Sequence, residues 1–168
     1  PGSSDLIDPI LKQYPAEDMC PGDLYWYNDC YEALGAVSHT PDQVLVAPVF
    51  HEGRLVAFSQ AWAHFSDIGG MHAGSISPQC TEIFQEGTII PAVRLAAEGR
   101  VCEDLLRVFL RNSRFPDAVG GDMRALMAAV RLGERIAQWY VRLGGIRKRR
   151  GRDAVARGQH AEIGRAHV

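Results

Sequence analysis

The chain has 168 residues, enough for one domain or for part of a larger one. Hydrophobic residues make up 46% and charged residues 23%, an ordinary globular balance, and the net charge of −2 argues against a general affinity for nucleic acid or anionic membrane. No run of about 18 apolar residues is present, so no transmembrane helix is expected.

Pro1-Gly2-Ser3-Ser4-Asp5 has no basic and apolar signal region. Ser4 or Asp5 is a suitable cap for a short helix with Leu6, Ile7, Ile10, Leu11 and Tyr14 as its apolar set, and Pro9 falls in its first turn, where proline is tolerated. Pro21-Gly22-Asp23 is a turn. Leu24-Tyr25-Trp26-Tyr27 is aromatic-rich and reads as a strand, and residues 29 to 42 read as a loop.

A β-hairpin follows. Residues 44–50 and 55–62 are strand-like runs joined by His51-Glu52-Gly53-Arg54, where Gly53 supplies the positive φ of a tight turn. Pro48 cannot donate to the ladder, so a bulge or an unpaired side is expected there. With Glu52-Gly53 as a two-residue loop, residue 51 faces 54, 41 faces 64 and 39 faces 66. His39 and His64 then lie on one side of the sheet as diagonal neighbours. A regular strand points Asp42 to the other side, and a break at Pro41 is needed to turn it back. A bulge near Pro48 would shift this register by one residue.

Asp67-Ile68-Gly69-Gly70 is a tight turn, and Gly74 to Gly87 is loop-rich, with Glu82 and Glu86 as polar residues without an assigned role. Residues 103–112 read as a short apolar helix. Asp117 to Gly121 reads as a loop, after which Asp122 caps a longer helix ending at Gly144-Gly145. Arg124, Arg131, Arg135 and Arg142 lie along one side of that helix. The plain reading is a solvated face; a phosphate-binding or subunit-contact face is the alternative.

Both ends read as incomplete: the chain starts at Pro1, and the basic run Arg147-Lys148-Arg149-Arg150 opens a segment poor in large apolar residues. Residues 162–168 read like a translated sequencing adapter. Residues 1–144 are therefore taken as a partial domain and 145–168 as a doubtful or artefactual tail, and His160 and His167 are not counted as ligands. The fold class expected is α+β, a hairpin-containing sheet with packed helices, as a fragment of a larger mixed domain.

The chemistry centres on one pattern that occurs twice, His39-x-x-Asp42 and His64-x-x-Asp67. Imidazole and carboxylate are ligands of divalent transition metals, and two His with one carboxylate leave positions open for substrate. A single H-x-x-D pair is weak, because His and Asp often meet in loops simply to hydrogen-bond; two copies across one hairpin are stronger. Asp67 is open to two readings, a fourth ligand or a group that orients His64 through its other ring nitrogen. His51 and His72 read as a turn residue and a surface loop residue. Cys20, Cys30, Cys80 and Cys102 form no C-x-x-C pair and read as free thiols of a cytoplasmic protein. No P-loop, G-x-G-x-x-G, G-x-S-x-G or H-E-x-x-H is present.

Several blocks follow one another in a recognisable order: Pro21-Gly22-Asp23, Asn28-Asp29, His39-Thr40-Pro41-Asp42, residues 47–53 (APVFHEG), Ala63-His64 and Asp67-Ile68-Gly69-Gly70. Gly74-Ser75, Glu86-Gly87, Ile90-Pro91, residues 103–106 (EDLL) and residues 121–125 (GDMRA) continue it. Over about residues 5 to 143 the chain resembles the hydantoinase B/oxoprolinase family. The resemblance implies a B component of an ATP-dependent 5-oxoprolinase or N-methylhydantoinase, or the related subunit of acetone and acetophenone carboxylases. It implies a partner A-type subunit that carries the ATP-dependent activation, a small cyclic amide or ketone as substrate, and a hetero-oligomer. It also implies a divalent metal (Mn, Zn or Fe) held by two His and one Asp, which fall here on His39, Asp42 and His64. Catalytic residues stay unassigned.

The chain departs from the family pattern in two places. Family members usually read N-D-P-Y and then G-G-T-H-L-P-D; here the text is Asn28-Asp29-Cys30-Tyr31 and Ala36-Val37-Ser38-His39-Thr40-Pro41-Asp42. The ligand positions survive, while the lost Gly pair weakens the oxoprolinase reading and leaves hydrolysis and carboxylation both open. Two rivals are a non-catalytic structural subunit, in which the His/Asp clusters only order loops, and a stand-alone non-haem iron oxygenase, against which the lack of many regularly spaced short strands counts.

Overall fold

A computed structural model describes residues 6–33, 35–74 and 77–144. The tail from residue 145, and the expected caps Ser4 and Asp5, lie outside the described residues.

Helix α1 (Asp8–Gln13) carries Pro9 in its first turn, as expected. Strands β1 (Leu24–Tyr27), β2 (Asp42–His51), β3 (Arg54–His64), β4 (Val93–Ala97) and β5 (Arg100–Val101) form one antiparallel sheet in the order β3-β2-β1-β4-β5. Helices α2 (Glu103–Arg111) and α3 (Pro116–Arg142) close the chain. The architecture is α+β. No helix among the described residues is long and apolar enough to cross a membrane, and the four cysteines are unpaired.

Period-2 alternation places two cores on the two sheet faces. Leu24, Trp26, Leu45 and Ala47 point to α2 and α3, where Phe109, Val119, Met123 and Val130 meet them. Tyr25, Tyr27, Val44 and Val46 point the other way, onto Ile7 and Ile10 of the α1 segment. The Trp26 ring meets Phe109 edge-on with centroids 4.8 Å apart. Because β1 is covered on both faces, it reads as a continuous apolar run rather than an alternating one.

Both hairpins turn on the same dipeptide. Glu52-Gly53 and Glu98-Gly99 adopt positive φ at both residues (50° and 72°; 50° and 83°), the backbone that a two-residue hairpin turn needs. The second hairpin is not among the expected elements, yet the triplet Glu98-Gly99-Arg100 repeats Glu52-Gly53-Arg54.

Two expectations are corrected. Helix α3 begins at Pro116, so residues 117–121 are helical rather than a loop. Proline at the first positions and Asp117 in the first turn favour that start. The Gly120-Gly121 pair that suggested a loop instead allows close packing, with Gly120 buried beside Leu110 of α2. The solvated reading of the arginine row fails at Arg131, which donates to the carbonyl oxygens of Gly22 (2.6 Å) and Asp23 (3.2 Å) and pairs with Glu134. Arg124, Arg135 and Arg142 are exposed.

The hairpin register differs from the regular one by one residue. Phe50 faces Leu55, but Val49 faces Ala57, so Val56 bulges out of the ladder. From there on every pairing is shifted, and His64 faces Asp42 rather than Pro41. Pro48 itself is paired with Phe58, and it lies beyond the stretch where β1 joins β2 at residues 44–46.

Candidate metal centre

The shifted register builds the site. Asp42 is the first residue of β2 and His64 the last of β3, directly opposite and therefore on the same side of the sheet. No break at Pro41 is needed to aim Asp42. His39 is not a strand residue. It opens a turn in which the Asp42 N–H donates to the His39 carbonyl at 3.2 Å, and this folds its ring back over the strand end.

Three atoms converge. His39 Nε2 lies 3.1 Å from Asp42 Oδ1, His64 Nδ1 lies 2.9 Å from the same oxygen, and the two nitrogens are 3.1 Å apart. With Asp42 ionised, protons alone leave one contact of this triangle unfavourable. An imidazole nitrogen carries either a proton or a lone pair, and a carboxylate oxygen only accepts. If both nitrogens donate to Oδ1, two N–H groups confront each other; if only one does, a nitrogen lone pair faces an oxygen lone pair. A cation between the three makes every contact favourable. The separations of 2.9 to 3.1 Å are short enough for the three atoms to share one divalent ion. His64 keeps 33% of its side-chain surface exposed, so the cluster opens on one side to solvent.

The surroundings hold His39 and its turn. Ser38 Oγ stands 2.9 Å from His39 Nδ1; a proton on Nδ1 donated to that hydroxyl leaves the lone pair on Nε2, facing the cluster. Thr40 is fully buried. Its carbonyl accepts from Asn28 Nδ2 and Gln43 Nε2, and the Gln43 oxygen accepts from Trp26 Nε1. Its N–H and hydroxyl both donate to Glu86 Oε2. Asn28, Gln43 and Glu86 were not foreseeable as a group, because they lie 12, 3 and 46 residues from Thr40. Burial, and next the Glu86 charge, push the Cys30 thiol up, with Thr40 opposing them.

Asp67 is elsewhere, and the expectation that it backs His64 is corrected. Its side chain is fully buried and its oxygens are taken by the Arg114 guanidinium (2.6 Å), the Ser113 hydroxyl (3.2 Å), and the backbone N–H groups of Arg114 and Gly69. Burial alone would raise its pKa; those hydrogen bonds and the Arg114 charge outweigh it and hold the carboxyl below the usual range. Among the described residues His64 Nε2 has no hydrogen-bond partner. His51 ends β2 opposite Arg54, and His72 is an exposed loop residue. Glu82 caps the short 3₁₀ turn Ile83–Gln85, far from a ligand role: it is not among the residues whose donor atoms converge.

Comparison with known proteins gives the family and the fold. Residues 3–160 match the model of the family described as hydantoinase B/oxoprolinase. The chain belongs to that family. The beta subunit of caprolactamase from Pseudomonas jessenii is 36% identical over 120 residues, which are 71% of this chain and 20% of that protein. The acetophenone carboxylase delta subunit of Aromatoleum aromaticum is 32% identical over 121 residues, 71% of this chain and 17% of that one. The structure of the ATP-dependent caprolactamase superposes with a TM-score of 0.70 at 31% identity, covering 92% of this chain and 26% of that chain. An acetone carboxylase structure shares the fold with a TM-score of 0.72 at 22% identity, covering 84% of this chain and 18% of that chain. The chain thus spans a quarter or less of the length of the curated relatives it matches first.

Proposed function

We propose that this chain forms the metal-bearing part of a B-type subunit that completes the opening of a cyclic amide, of the 5-oxoprolinase or hydantoinase type, after an A-type partner subunit has activated the substrate with ATP. The observation that carries the reading is the triangle of His39 Nε2, Asp42 Oδ1 and His64 Nδ1, with edges of 2.9 to 3.1 Å, a set of donors suited to a divalent cation. His39, Asp42 and His64 would hold a divalent ion there, which would polarise a carbonyl or phosphoryl oxygen or lower the pKa of a bound water. The protein's own part is to hold the three donors on one side of the strand end, with His39 set by Ser38 and by the buried Thr40, and to leave the other side open to substrate. No P-loop is present in the chain, which is consistent with ATP being handled by the partner.

A ketone carboxylase of the acetone or acetophenone type is the second reading. The identity to the acetophenone carboxylase subunit is close to that for the caprolactamase subunit, 32% against 36%. Two measurements decide. The chain is loaded with Mn²⁺ or Zn²⁺ and its metal content compared with that of His64→Ala; equal content ends the ligand assignment. The chain reconstituted with its A-type partner and ATP is then offered 5-oxoproline or hydantoin, and separately acetone or acetophenone with bicarbonate. Ring opening supports the hydrolase; carbon dioxide fixation without ring opening transfers the reading to the carboxylase.

A further inference from the structure

We infer that Glu86 is a positioning residue for the three-donor site, acting through Thr40 on the turn from His39 to Asp42; this rests on the metal reading above. The starting point is an asymmetry among the donors. Asp42 and His64 are placed by the hairpin ladder, whereas His39 lies before β2 and takes its place from the turn alone. The residue after His39 is the one most tightly held: the N–H and hydroxyl of Thr40 donate to Glu86 Oε2 at 2.9 and 2.8 Å, and its carbonyl accepts from Asn28 and Gln43 at 2.8 and 3.1 Å. Glu86 supplies the charged half of this clamp, and hydrogen bonds to an ionised acceptor are about twice as strong as neutral ones.

Glu86 is itself held against a rigid support. Residues 68–71 and 85–88 run side by side: Thr88 N–H donates to Ile68 at 2.8 Å, Met71 N–H to Gln85 at 2.7 Å, and Gly69 and Gly87 form an antiparallel bridge. The contact is close enough that a Cβ on Gly70 would meet the Glu86 carbonyl at 2.4 Å. The Asp67–Arg114 pair ties the same turn to the start of α3, where Arg114 also donates to the Gly70 carbonyl. Hydrogen bonds at Gln85 and Thr88, on either side of Glu86, therefore tie its backbone to the Gly69-Gly70 turn and through it to Arg114, just before α3, while its side chain holds the neighbour of His39. Glu86 is outside the converging donor set, so its effect on the metal passes through geometry.

The test uses this chain with Zn²⁺ and Mn²⁺ as probes, reading the dissociation constant by calorimetry and the melting of the metal-free protein by circular dichroism. Glu86→Ala weakens metal binding by about tenfold, the low end for a group that orients a ligand. Glu86→Gln keeps an oxygen that can accept both Thr40 bonds and stays within about threefold of the parent by the same reasoning. A folded Glu86→Ala protein that melts lower but binds metal as tightly as the parent overturns the inference, because a merely structural role gives that result. If Glu86→Ala does not fold, Thr40→Val against Thr40→Ser carries the test: weaker binding by the valine variant alone supports the clamp, and equal binding overturns it. A parent chain that takes up no metal, or as much as His64→Ala, ends the metal reading and the role of Glu86 with it. That result differs from normal metal uptake with an indifferent Glu86.

Discussion

The two H-x-x-D copies have the same spacing and opposite fates. In the first, a turn from His39 to Asp42 brings both side chains to one point. In the second, His64 is the last residue of β3 and its side is set by the ladder, but the chain then leaves the sheet. Phe65 enters the core beside α2 and α3, and Asp67 is carried to the start of α3, where Arg114 takes it. An i,i+3 spacing therefore means convergence when it closes a turn and divergence when it straddles a strand end. One Asp joins the two His, while the other fastens its loop to Arg114.

The sharpest break of this comparison is to remove one member of each kind. His64→Ala takes away a donor from an open cluster that has two others, and is expected to weaken metal binding by at least about 100-fold while leaving the fold intact, because the ring is partly exposed. Asp67→Ala reverses the pattern. It strands two part-buried N–H groups, the buried Ser113 hydroxyl and the half-exposed Arg114 guanidinium, for a loss of about 1–3 kcal/mol in stability with a metal stoichiometry unchanged in the folded protein. Denaturant titration and metal analysis on the two variants read both axes. A loss of metal stoichiometry in a folded Asp67→Ala protein would return Asp67 to the site.

Acid gives a gentler version of the same test. The folded-state pKa of Asp67 is held below that of the unfolded chain, so the unfolded state binds more protons and stability rises with pH across the window between the two values. The contribution is complete above the ordinary Asp range near about 4 and is lost as pH falls through the lower folded value. Melting temperatures measured from pH 6 down to pH 2.5 are expected to fall more steeply for the parent than for Asp67→Asn, which has no proton to take up at this position. Parallel curves would mean that the Arg114 contact does not hold the carboxylate.

How much of this was readable from the residues alone follows from the range of each interaction. The Glu52-Gly53 turn is a local signal that places the first hairpin; the family pattern names the three residues that converge at the strand end. Pro48 marks the neighbourhood of a bulge, and the one-residue shift falls beside it, between Val49 and Phe50; the residue that bulges, Val56, carries no marker of its own, so the regular register points Asp42 to the other side. Helix α3 was started too late because Gly120-Gly121 weighed more than Pro116-Asp117, though the pair permits a close helix contact rather than ending a helix. The partners Glu86 of Thr40 and Arg114 of Asp67 are 46 and 47 residues away in sequence, and no local pattern encodes pairs at that distance.

The smallest expected effect separates the two histidines themselves. His39 has the Ser38 hydroxyl 2.9 Å from Nδ1, while the residue before His64 is Ala63, and the free nitrogen of His64 has no partner among the described residues. The hydroxyl matters because an imidazole can place its proton on either nitrogen, and only one tautomer presents Nε2 as a donor to the cluster. Ser38→Ala removes the acceptor for the Nδ1 proton but leaves the Glu86 clamp and the ladder untouched, so His39 loses its tautomer bias and not its place. The expected result is a loss of a few-fold in metal affinity, smaller than the roughly tenfold loss in orienting-group variants, with no change in melting temperature. Thr at position 38 keeps the hydroxyl and should restore the parent affinity. If Ser38→Ala and Ser38→Thr bind metal equally, the difference between the two histidines lies only in how the backbone presents them: one on a ladder, one on a clamped turn.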